Sequence, residues 1–75
     1  MHLDTMLRTV RAETASQRLR ADDLAGKVTA LLGSGRDCGE AERELFGVLD
    51  GLALLRMRAQ AIEAMRGFAV TTAEA

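Results

Sequence analysis

The residues of this chain that could do chemistry are Cys38, His2, the glycine-containing run GSGR at 33 to 36, and the arginines of the first half. A thiol and an imidazole can form a nucleophile–base pair or, with further ligands, a zinc site. Cys38 has no second cysteine, and the single histidine stands at the N-terminus, so neither arrangement can be assembled from this chain. GSGR matches a phosphate-binding loop only in its glycines. The Lys-Ser/Thr ending is missing, and no strand pattern precedes it. Arg8, Arg11, Arg18 and Arg20 are interspersed with Glu13, Asp22 and Asp23 and have no aromatic residues between them for base stacking. The sequence therefore predicts no catalytic residue, no cofactor, no metal and no nucleic-acid partner.

Two long stretches of helical apolar periodicity make up most of the chain, and the second of these is the more informative. Along EAERELFGVLDGLALLRMRAQAIEAMR, residues 40 to 66, the row Ala41, Leu45, Val48, Leu52, Leu55, Ala59, Ile62 advances in steps of four and three, which places it on one face of an α-helix. Two more apolar rows share that helix. One holds Phe46, Leu49, Ala53, Met57 and Ala64, the other Leu54, Ala61 and Met65 beside Gly47 and Gly51. A helix apolar on several faces needs several neighbours or a membrane. Asp50, Arg56 and Arg58 interrupt any uncharged run near the roughly 20 residues needed to span hydrocarbon.

In the first half, the row Leu3, Leu7, Val10, Thr14, Gln17, Ala21, Leu24, Val28, Leu31 has heptad-like spacing with a soft middle, where Thr14, Gln17 and Ala21 replace large apolar groups. Asp4 with Arg8, Arg18 with Asp22 and Asp23 with Lys27 are spaced as ion pairs along one helix. Between the halves, GSGRDCG at 33 to 39 reads as a reversal: Gly33 can take the left-handed, helix-ending position, and Asp37 followed by Glu40 reads as a helix start. At the far end Gly67 fits a helix stop, with Phe68 folding back on Ile62 and residues 69 to 75 as a frayed tail. The expected architecture is an all-α antiparallel two-helix hairpin, with helices over about 4–32 and 40–66 and a turn at 33–39, forming one domain over residues 1–75.

Composition narrows the function classes. Proline is absent and only two of 75 residues are aromatic, which suits long helices rather than a sheet. The balance of 10 basic and 11 acidic residues gives no overall attraction for nucleic acid or anionic lipid. No secretory signal pattern is present, and one cysteine permits no intrachain disulfide, so a cytoplasmic location is expected. A chain this short rarely stabilises itself through one core. The flank rows therefore predict a protein-binding surface made of Phe46, Leu49, Ala53, Leu54, Met57 and Met65, covered by a protein partner or by a second copy in a homodimeric four-helix bundle.

The layout resembles the small helical-hairpin co-chaperones of type III secretion systems, the YscE/PscE-like family. LDTML at 3 to 7 is similar to that family's Leu-acidic-x-x-Leu opening, ALLGSGRDCGEAE at 30 to 42 to its helix end, turn and acidic restart, and LALLRMRAQAIEAM at 52 to 65 to its Ala/Leu-rich second helix. The glycines within helix 2 and the row through Leu54 and Met65 depart from the pattern. The resemblance implies a non-enzymatic cytoplasmic protein that pairs with a tetratricopeptide-like chaperone, the pair holding the needle subunit unpolymerised.

Overall fold

The computed structural model describes the backbone of residues 2–74 and the side chains of residues 2–68. Two helices, α1 (His2–Gly33) and α2 (Gly39–Glu74), pack against each other as an all-α hairpin. Its extents of 62 × 14 × 13 Å leave each helix a single neighbour. The helices run antiparallel, and two ion pairs cross between them at the open end: Arg66 Nε to Asp4 Oδ1 at 2.8 Å and Arg11 Nη2 to Glu63 Oε1 at 3.0 Å. Asp4 thus reaches across to α2 instead of along α1 to Arg8. Among the described residues, the spacings Arg18–Asp22 and Asp23–Lys27 form no ion pair within 4.0 Å, as expected where flexible, solvated side chains gain little from pairing.

The facing rows are the ones that periodicity selects. Every residue of the α1 row from Leu3 to Leu31, and of the α2 row from Ala41 to Ile62, is buried or half-buried. Burial is deepest at the open end, where Leu7, Val10, Leu55 and Ile62 form the core cluster and Leu3, Met6 and Ala59 pack on it. At the turn end Ala21, Leu24, Cys38 and Ala41 are buried. Between the ends, Thr14 and Gln17 are only half-buried, and the Thr14 hydroxyl donates to the Val10 carbonyl at 2.7 Å, satisfying itself along its own helix.

The connection differs from the expected one in which glycine does the work. Gly33 remains in α1, and the left-handed residue is Gly35 at φ 72°. The Gly35 N–H donates to the Leu32 carbonyl at 3.1 Å and the Arg36 N–H to the Leu31 carbonyl at 2.9 Å. These are the two bonds of a Schellman ending, which places the left-handed residue two positions after the last helical one. Asp37 then starts α2, its Oδ1 accepting the Gly39 N–H at 2.9 Å.

The end of α2 corrects a second expectation. The helix does not stop at Gly67 but runs through it to Glu74, so residues 69–74 continue the helix, and Ala75 lies outside the described residues. With no positive φ at Gly67 and no proline beyond it, nothing in the backbone ends the helix there. Phe68 accordingly does not fold back on Ile62. It is 74% exposed while Ile62 is 1% exposed, because six residues along a continuous helix point the two side chains to different sides.

Candidate functional site: the outer face of α2

Packing α1 against the row Ala41–Ile62 leaves the other faces of α2 without a neighbour among the described residues. Phe46, Leu49, Leu54, Met57 and Met65 are all exposed large apolar side chains, and Ala53 is exposed among them. The hairpin therefore places every residue of the expected binding surface outside its own core. Of these large side chains, Leu54 and Met57 are the most exposed. On α1, Leu19 and Leu32 are also exposed.

Phe68 extends this surface. From Leu54 through Met57, Ala61 and Ala64 to Phe68 the steps are three, four, three and four, a second seam on the side of α2 away from α1. The spacing is present in the sequence, but reading Gly67 as a stop detaches Phe68 from it. Gly47 and Gly51 lie beside the same surface, and a Cβ at either would meet no atom within 4 Å. Neither glycine is therefore needed for the contact between α1 and α2.

His2 and Cys38 do not come together. His2 begins α1 and Cys38 lies beyond its end, so a helix of 32 residues, about 48 Å at 1.5 Å per residue, separates them. Cys38 is buried beside the turn, and its S–H donates to Glu42 Oε1 at 3.4 Å. Burial pushes the thiol pKa up, and the hydrogen bond to Glu42 and its negative charge push it further, so the thiolate form is disfavoured. Among the described residues, no cluster of histidine, cysteine, aspartate and glutamate is arranged to hold a metal ion, and no helix is long and apolar enough to cross a membrane.

No protein-family model matches this chain, and neither a curated protein nor a solved structure matches it.

Proposed function

We propose that this chain is a non-enzymatic protein-binding module that presents the outer face of α2 to a helical partner. The observation that carries the reading is the exposure of Phe46, Leu49, Leu54, Met57 and Met65 on a helix whose other face is already packed. An amphipathic partner helix or a groove that covered this row would remove its apolar surface from water, and flexible methionines suit such a surface because they adapt to the shape opposite them. Within this reading, the resemblance of residues 3 to 7, 30 to 42 and 52 to 65 to the YscE/PscE-like pattern supports a cytoplasmic co-chaperone. It would pair with a tetratricopeptide-like chaperone of a type III secretion system, stabilise it and help hold the needle subunit unpolymerised.

A homodimeric four-helix bundle is the second reading, favoured by the regular heptad spacing from Leu54 to Phe68, which is the pattern of a self-pairing seam. Purification of the tagged chain under native conditions from its own host, with mass spectrometry of what remains bound, separates the two. The expected result is a tetratricopeptide-like partner retained by wild type and by Arg20→Ala and lost by Leu49→Asp. Equal retention by Leu49→Asp would sink the surface assignment, and recovery of the chain only as its own dimer would replace the co-chaperone with the bundle.

A further inference from the structure

At the soft middle of the hairpin a groove with a volume of about 360 Å³ opens between the helices. Leu52 and Ala59 of α2 and Thr14 of α1 line it, together with three arginines, Arg11 and Arg18 from α1 and Arg56 from α2. The groove follows from the sequence: Thr14 and Ala15 are too small to fill the space opposite Leu52. Its charge is one-sided. Glu63 engages Arg11 at 3.0 Å, whereas Arg18 and Arg56 have no carboxylate within 4.0 Å among the described residues. Two unneutralised guanidiniums therefore border one apolar-lined groove on a chain whose net charge is −1.

We propose that this groove receives an acidic side chain of the partner, a glutamate or aspartate held between Arg18 and Arg56 with an apolar neighbour against Leu52 and Ala59. Continuity with the outer face supports that occupant. Phe46, Leu49, Ala53 and Arg56 follow one another in steps of three, four and three, so a helix lying along the apolar row passes over Arg56 at the edge of the groove. Guanidinium suits the task because its fork donates two parallel hydrogen bonds to one carboxylate. The inference rests on the docking reading of α2 and names the chemistry of the partner's contact.

The test is an NMR titration of the labelled full chain, following the arginine side-chain N–H signals. The probes are the blocked tripeptide acetyl-Leu-Glu-Leu-amide and its uncharged counterpart acetyl-Leu-Gln-Leu-amide. The glutamate peptide is expected to shift the Arg18 and Arg56 signals saturably and to bind on the order of fivefold tighter than the glutamine peptide, a preference that added salt and the Arg18→Gln/Arg56→Gln variant both remove. Equal responses to the two peptides, or no saturable shift at up to about 10 mM, overturn the inference. Either result leaves the docking reading intact if Leu49→Asp still loses the partner. Retention of the partner by Leu49→Asp instead removes the docking reading, whatever the peptides do.

Discussion

Ile62 and Met65 stand three residues apart on α2, and one is 1% exposed while the other is 48% exposed. The same contrast runs along the helix: Leu55 is buried and Leu54, its neighbour in sequence, is exposed. Side-chain chemistry does not distinguish the two faces, since both carry aliphatic groups. What distinguishes them is a neighbour. One helix can cover about one stripe of another, so α1 removes the inner row from water and leaves the outer one exposed.

The contrast predicts that the two faces answer differently to truncation. Ile62→Ala should lower the unfolding free energy of the hairpin by about 3 kcal/mol, because it leaves a cavity at the best-packed end, whereas Met65→Ala should stay within about 0.5 kcal/mol. Urea unfolding of the two variants checks this, and equal losses would mean that Met65 is already packed in the isolated chain. The glycines extend the comparison at smaller scale. Gly35→Ala should cost about 1–2 kcal/mol, since φ 72° is unfavourable for a residue with a Cβ. Gly47→Ala and Gly51→Ala should instead each stabilise the free chain by about 1 kcal/mol, because both sites are helical and open. Thermal melts of the three variants read the signs. If alanine at 47 and 51 stabilises the free chain yet weakens partner binding, the two glycines serve a close approach by the partner.

Much of this fold was legible in the sequence because it is written in one-dimensional spacing. Steps of three and four identify both inner rows, from Leu3 to Leu31 and from Ala41 to Ile62, and the same subtraction leaves Phe46, Leu49 and Leu54 without cover. The turn was legible as a turn but not in its detail. Gly33, Gly35 and Gly39 are all able to take positive φ, and the choice of Gly35 depends on which carbonyls the last turn of α1 leaves free, Leu31 and Leu32. Gly67 misled for a related reason: glycine permits a helix to end without requiring it. The groove at the middle depends on the register between helices, which sets Arg56 opposite Arg11 and Arg18, and no spacing within either helix reveals that.

The most direct test of the central claim is oxidation footprinting of the methionines in the isolated chain and in the native assembly purified from its host. Met57 and Met65 face outward, while Met6 is half-buried against the inner core and serves as the internal reference. Oxidation of a methionine thioether follows its exposure, so Met57 and Met65 should react readily in the isolated chain and become protected in the assembly, with Met6 unchanged. Equal oxidation of Met57 and Met65 in both states would contradict the claim that the outer face of α2 is a covered surface.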